Sequence, residues 1–209
     1  MTSPIVPRRV FVTGTDTDIG KTLVAAWIAQ HWRATYWKPV QSGTADGTDA
    51  ATIQALAPDA AVIPPRWTLT TPASPHLAAR LDGVEIRLHD FTLPDTQGDL
   101  VVEGAGGLLV PLNDRDTMAD LIARLGLPVV VVARSGLGTI NHTLLTLAEL
   151  RRRALPVLGV ILNGPEDREN QAAIAHFGQI PILAALPRLA EVTARTVANL
   201  PPPSFATSP

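Results

Sequence analysis

The sequence predicts a single α/β domain in which a mainly parallel β-sheet carries helices on both faces. Three observations predict it. Short β-branched runs alternate with longer stretches of helical periodicity, the order that successive βαβ units produce. Several of those short runs are apolar on successive residues, as strands covered on both faces are. The first run opens into a polar glycine loop that ends in Gly-Lys-Thr, a strand–loop–helix junction.

The elements follow in order. Val10–Thr13 is the first strand, ended by Gly14, and Lys21–Trp32 is the helix that leaves the loop. Thr35–Val40 is the second strand, and Thr48 or Asp49 caps a helix over Asp49–Ala57. A short helix is expected over Pro75–Asp82, then a buried strand Leu100–Glu103 that runs into glycines, and a helix Met118–Leu125. The valine run gives the strand Val129–Ala133. The helix Ile140–Ala154 places Leu144, Leu147, Ala148 and Leu150 on one face, which is core or interface. Val157–Asn163 and Ile182–Leu186 are strands, with the helix Glu169–Phe177 between them. The domain is expected to span residues 1–200, leaving the proline-rich stretch 201–209 as a flexible tail.

Composition narrows the function. A chain of 209 residues supports one sizeable core, and no linker divides it. Lys and Arg total 17 against 19 Asp and Glu, so no basic stripe points to a nucleic-acid partner. Cysteine is absent, which excludes disulfides, thiolate metal sites and a cysteine nucleophile. The longest apolar run, Leu127–Ala133, is far below the roughly 20 residues of a membrane span, and the N-terminus lacks a secretory apolar segment. The expected setting is the cytoplasm and the expected partners are small molecules.

The stretch Val12–Thr22, VTGTDTDIGKT, reads as a phosphate cradle, and with it the fold as P-loop NTPase-like. Loop and helix N–H groups would face the phosphates, Lys21 would neutralise the β- and γ-phosphates, and the Thr22 hydroxyl would ligate Mg2+. Five residues separate Gly14 from Gly20, one more than the usual spacing, and Thr15 stands where the first glycine is expected. Asp16 and Asp18 repel a triphosphate, so they either face a cation, Mg2+ or a positively charged acceptor, or are solvated loop residues.

Other segments fall after predicted strands, where an open parallel sheet forms its ligand crevice. Lys38, followed by proline, would sit over that crevice or on the surface. Glu103 ends a buried strand, and Gly104, Ala105 and Gly106 follow; a carboxylate there suits Mg2+. Asp49 either ligates the metal or caps its helix. Asn141 and His142 fall in the first turn of a helix whose free N–H groups favour an anion. Asn163, followed by Gly164, pairs with an adenine edge or makes a turn. His31, His76, His89 and His176 have no metal-ligand spacing and read as structural.

Taken together, GTDTDIGKT, KPVQSG, SPH, VEGAGG, GTINHTLLT and NGPE, in this order, closely resemble dethiobiotin synthetase over Val10 to about Leu189. The resemblance implies a P-loop α/β homodimer that closes the ureido ring of dethiobiotin from 7,8-diaminopelargonate, CO2 and MgATP. It makes Lys21 the phosphate-loop lysine, Lys38 the active-site lysine, and Thr22, Asp49 and Glu103 the metal ligands. Ser42, Thr17 and Asp18 would line the diamine and carbamate region, and Asn141 would meet the substrate carboxylate across the dimer interface. Asp18, Ile19, Gly20, Leu23, Gly104–Gly106, Asn163, Gly164, Pro187, Arg188 and Leu189 complete the implied nucleotide site. The family usually has glutamate at the position of Asp18, so the side chain here is one methylene shorter. Switch ATPases of the MinD and ParA kind share the fold and a related loop, but carry a second loop lysine where this chain has Asp16. Related amide-forming ligases normally need a glutamine-hydrolysing domain with a cysteine.

Overall fold

The computed structural model describes residues 8–45 and 47–205. In chain order the strands are β1 (Arg9–Gly14), β2 (Thr35–Trp37), β3 (Val40–Ser42), β4 (Val62–Ile63), β5 (Trp67–Leu69), β6 (Leu100–Gly107), β7 (Val129–Arg134), β8 (Val157–Asn163) and β9 (Ile182–Leu186). The helices are α1 (Lys21–Trp32), α2 (Asp49–Leu56), α3 (Pro75–Leu81), α4 (Met118–Leu125), α5 (Thr139–Arg152), α6 (Arg168–Gly178) and α7 (Ala194–Ala198). Among the described residues no helix is long and apolar enough to cross a membrane.

Seven strands pair in the order β4-β2-β6-β1-β7-β8-β9, every neighbour parallel, and β3 and β5 form a separate parallel pair. The path runs from β1 outward to β2 and β4, returns to β6, then crosses β1 to β7, β8 and β9. The direction therefore reverses beside β1, and ligand crevices form at such a reversal.

Alternation along the strands builds a core on each face. Val10 and Val12 of β1 pack into a layer with Val24, Trp27 and Ile28 of α1 and Ile53 of α2. Phe11, one residue out of phase, joins Met118, Leu121 and Ile122 of α4 and Leu147 and Leu150 of α5 on the other face. Because both faces are covered, Val129 to Val132 are buried without a break, as the continuous valine run required.

Several boundaries differ from the sequence expectation, for identifiable reasons. The expected strand Thr35–Val40 is two strands: Pro39 has no N–H to continue the main ladder, its carbonyl accepts instead from Arg66 and Trp67, and the chain transfers to the small sheet. Strand β6 runs on to Gly107, with a register shift where Gly14 meets it. On α5, Leu147 and Leu150 are buried and Leu144 partly so, but Ala148 is exposed; Thr139, Thr143 and Thr146 complete the buried face. The two-residue β4, the three-residue β5 and the five-residue α7 are too short to show a periodicity. Nor is the tail free from residue 201: Trp27 Nε1 donates to the Pro201 carbonyl at 2.9 Å and the Phe205 ring lies 5.4 Å from that of Trp32. Residues 206–209 of that stretch lie outside the described residues.

Gly159 shows how tightly the far half of the sheet is packed. A β-carbon there would lie 2.5 Å from Leu183 Cγ and 2.7 Å from the Pro181 carbonyl oxygen. The backbone oxygen cannot rotate away. Gly159→Ala should therefore cost about 1–3 kcal/mol of stability by overpacking. Denaturant titration would check this, and an unchanged midpoint would show that β8 and β9 separate without cost.

Candidate nucleotide and acceptor site

The carboxyl ends of β1, β2, β3 and β6 surround one cleft of about 760 Å3, within the range of small-molecule sites. Lys21, Thr22, Lys38, Ser42, Asp49, Glu103, Thr17 and Asp18 line it, so most of the residues singled out in the sequence come together.

The loop after β1 ends at Gly20, which is left-handed at φ 93° and caps α1 with no side chain. The first amides of α1 are thus free to meet an anion, and no acidic residue occupies that first turn. A β-carbon on Gly20 would lie 2.0 Å from Asn163 Nδ2, which donates to the Ile19 carbonyl at 3.0 Å. Only glycine satisfies both the dihedral and the approach. Lys21 folds over the loop and donates to the Asp16 carbonyl at 2.8 Å; burial lowers its pKa, against the raising effect of Glu103. Asp18 is also left-handed, at φ 54°, and lines the cleft.

Asp16 turns to the rim, toward a cation of this chain. Its carboxylate accepts from Arg134 at the end of β7 at 2.8 Å, and its other oxygen from the Thr17 amide at 2.8 Å. The cation it was expected to face is an arginine of this chain, at a position the sequence reading passed over.

Two carboxylates meet below the loop. Thr48 caps α2, accepting from the Ala51 amide at 3.1 Å, which leaves Asp49 free. Asp49 Oδ2 lies 2.6 Å from Lys38 Nζ, and Glu103 Oε1 3.2 Å from the same nitrogen. The Thr22 hydroxyl is 2.7 Å from Asp49 Oδ1 and 2.9 Å from Glu103 Oε1. Burial opposes the charge on Lys38, but Glu103 and Asp49 outweigh it and hold the ammonium pKa above its usual value. Burial would raise Asp49, and Lys38 together with the Thr22 hydroxyl brings it below the usual carboxylate range. Register explains the meeting: Trp37 pairs with Val102, so the next residues on each strand, Lys38 and Glu103, stand side by side.

This donor set fits a hard divalent ion. One hydroxyl proton cannot serve two carboxylate oxygens, so three oxygens converge with fewer protons than they would need to satisfy one another. Among the described residues no cluster of three His, Asp or Glu forms an all-protein cage. An ion held here takes its other ligands from water and phosphate, the usual habit of Mg2+.

Other residues stand further off. Leu23 and Leu189 pack against the α1-side core. Gly104 is buried where a β-carbon would press on Phe11 and Met118, whereas Ala105 and Gly106 line the cleft. The Gly164 amide donates to the Leu186 carbonyl at 3.0 Å, tying β8 to β9 just before the exposed Pro187 and Arg188. Asn141 is exposed on the first turn of α5, outside the cleft of its own chain.

The comparisons agree with this geometry. A family described as an AAA domain matches residues 8–196. An ATP-dependent dethiobiotin synthetase of Paramagnetospirillum magneticum is 57% identical over 95% of this chain and 97% of its own length. The chain belongs to the dethiobiotin synthetase family. Another such enzyme, from Rhodopseudomonas palustris, is 54% identical over 93% of this chain and 90% of its own. Among solved structures, a ParA family ATPase from Chlorobium tepidum superposes with a TM-score of 0.60 at 12% identity, covering 93% of this chain and 98% of its own. The MinD protein of Pyrococcus horikoshii does so with a TM-score of 0.52 at 15% identity, covering 87% and 82%. These two share the P-loop fold.

Tyr36 and Gln41 also touch this family member's site, and the sequence reading missed both. Tyr36 Oη donates to Glu103 Oε2 at 2.8 Å, and Gln41 Oε1 accepts from the Asp49 amide at 3.1 Å. Tyr36 lies two residues before Lys38, on the same side of the strand, which is the signal that would have found it. For the loop, the Asp16–Arg134 pair is half-exposed, so its coupling should be about 0.2–1 kcal/mol and should shrink with salt. A double-mutant cycle of Asp16→Asn and Arg134→Met should return that value with metal dependence unchanged. Loss of metal dependence on Asp16→Asn alone would return Asp16 to the reaction.

Proposed function

We propose that this chain closes the ureido ring of dethiobiotin from 7,8-diaminopelargonate, CO2 and MgATP, releasing ADP and phosphate, as a cytoplasmic enzyme of biotin biosynthesis. One observation carries the reading: the phosphate cradle and an acceptor pocket are one continuous cleft, from Gly20, Lys21 and Thr22 past Lys38 to Ser42, Ser74, Thr17 and Asp18. A P-loop alone would serve any phosphoryl transfer. The joined pocket gives room for an acceptor beside the transferred group.

In the first step one amine of the diamine adds to CO2, forming an N–C bond and losing a proton to give a carbamate. A carbamate oxygen then attacks the γ-phosphorus while the bond to the ADP oxygen breaks. The second amine finally attacks the carbamate carbon, the C–O bond to phosphate breaks, and a proton leaves as the ring closes. Lys21 and Lys38 spread the charge on the moving phosphoryl group. Thr22, Asp49 and Glu103 would hold Mg2+, which supplies further neutralisation of the phosphate oxygens. Asp18 suits a cationic diamine and disfavours a second anion there. Holding both amines in one pocket makes closure intramolecular, worth up to roughly 7–11 kcal/mol when aligned.

The nucleotide base belongs at the far end, near Asn163, Gly164 and the segment Pro187–Leu189. Asn163 spends one amide hydrogen on the Ile19 carbonyl, which fixes the amide with its oxygen free to accept from the adenine amino group. A homodimer completes the reading. Gly138 caps α5 with no side chain, Asn141 is exposed beside it, and Leu109, Leu137 and Leu145 are exposed around the same end. A second copy covering those leucines would bring free α5 amides and Asn141 to the substrate carboxylate.

Phosphate release from MgATP should require diamine and CO2 together, measured with each omitted in turn and bicarbonate restored to CO2-depleted buffer. Equal release without diamine would refute the ring-closing reading. The two lysines should also separate. Lys21→Ala should weaken both nucleotide binding and turnover, whereas Lys38→Ala should lower kcat by on the order of 10²–10³ with nucleotide affinity nearly kept. Calorimetric titration with ADP beside steady-state kinetics would distinguish them, and normal kcat in Lys38→Ala would remove it from the reaction.

A further inference from the structure

We infer that Tyr36 is the positioning residue that aims Glu103 at the cation. This rests on reading Thr22, Asp49 and Glu103 as the ligands of a divalent ion, and goes beyond it by adding a residue that never touches the ion. The geometry is specific. Glu103 is buried and its Oε1 is shared by the Thr22 hydroxyl at 2.9 Å and Lys38 Nζ at 3.2 Å. Its Oε2, among the described residues, has one hydrogen-bond partner, the Tyr36 hydroxyl at 2.8 Å. The tyrosine is fully buried in the layer formed with α1 and α2, so its ring cannot swing away and its hydroxyl has no water to turn to.

Packing alone does not require the hydroxyl, since a phenylalanine ring would fill the same layer. What requires it is the back oxygen of Glu103. A buried carboxylate oxygen left without a donor would draw the side chain toward Lys38 and the Thr22 hydroxyl, bringing Oε2 into the space where Oε1 now points. With the hydroxyl in place, one oxygen is held from behind and the other is presented forward. Hydrogen bonds of this kind to a ligating carboxylate usually support metal affinity by about 10–100-fold. The strand geometry supplies the reach: Tyr36 pairs with Val101, two residues before Glu103 on the neighbouring strand and on the same side of the sheet.

The test reads metal binding directly. Mn2+ is titrated into the full chain with saturating ADP and followed by electron paramagnetic resonance. Tyr36→Phe should weaken Mn2+ binding by about tenfold, raise the Mg2+ requirement in turnover more than it lowers kcat, and leave the thermal midpoint within a few degrees. Tyr36→Leu should lose the same metal affinity but melt much lower, because it also removes the ring. Packing would then follow the ring and metal affinity the hydroxyl. Tyr36 is the only tyrosine in the chain, so a variant-free measurement exists: tyrosine labelled with 13C at Cζ alone gives one signal, which should shift when Mg2+ is added to the ADP complex. If wild type binds Mn2+ and Tyr36→Phe binds it equally, or if the labelled signal stays still while metal binds, the role of Tyr36 is overturned. If wild-type chain with ADP binds no Mn2+, the metal reading itself fails.

Discussion

One buried and one partly buried carboxylate facing a buried lysine set the terms for the rest of this structure. Asp49 and Glu103 sit within 3.2 Å of Lys38 Nζ, with the Thr22 hydroxyl against both. Charges taken out of water are stable only when paired and hydrogen-bonded, and removing one partner leaves the others uncompensated. The cluster therefore demands that four segments arrive together: the end of β2, the middle of β6, the first turn of α1 and the first turn of α2. Each arrives through a local device. Pro39 turns the chain out of the main sheet just after Lys38, Thr48 takes over the capping of α2 so that Asp49 is released, and Gly20 starts α1 without a side chain in the way. The sheet order matters as well, because β6 returns between β2 and β1 and so inserts Glu103 between the lysine strand and the phosphate loop.

The loop itself is braced from outside the cleft. Asp16 ties it to β7 through Arg134, Asn163 ties it to β8 through the Ile19 carbonyl, and Lys21 closes across it to the Asp16 carbonyl. Two strands and the first residue of α1 thus hold a loop one residue longer than the usual cradle, and its fixed amides need no rearrangement to meet a phosphate. The left-handed backbone at Asp18 is the visible cost of that length, since a non-glycine residue rarely adopts it.

The helix starts, the central strands and the residues that gather around Lys38 were legible because each is encoded locally. Lys21–Trp32 and Met118–Leu125 begin and end in the structure where the sequence places them, and Thr22, Lys38, Asp49 and Glu103 were recognisable from the segments that carry them. What escaped was set by contacts distant in sequence. Nothing near Arg134 announces that it meets Asp16, 118 residues away. Tyr36 reads as one more strand aromatic until the register brings Glu103 beside it, and Asn163 reads equally as a turn residue or a base contact until Ile19 is seen beneath it. The split of Thr35–Val40 was written in Pro39, but a proline that ends one ladder does not say that a second begins.

The fold neighbours sharpen what distinguishes this chain. The ParA and MinD structures share the fold at 12 and 15% identity, so the fold alone does not choose between a switch and a synthetase. The choice lies in side chains that the sheet merely presents. Here the phosphate loop carries Asp16, and its charge is spent on Arg134 at the rim. Besides Lys21, the positive charge facing the cleft comes from Lys38, delivered from the end of β2 and anchored by Asp49 and Glu103. With Lys38 on the strand beside β6, Thr17 and Asp18 line the cleft next to Lys21 and Thr22. In the proposed reaction a lysine in the loop would oppose a cationic diamine, whereas a lysine held from the sheet would act on the phosphoryl group and leave the acceptor side acidic.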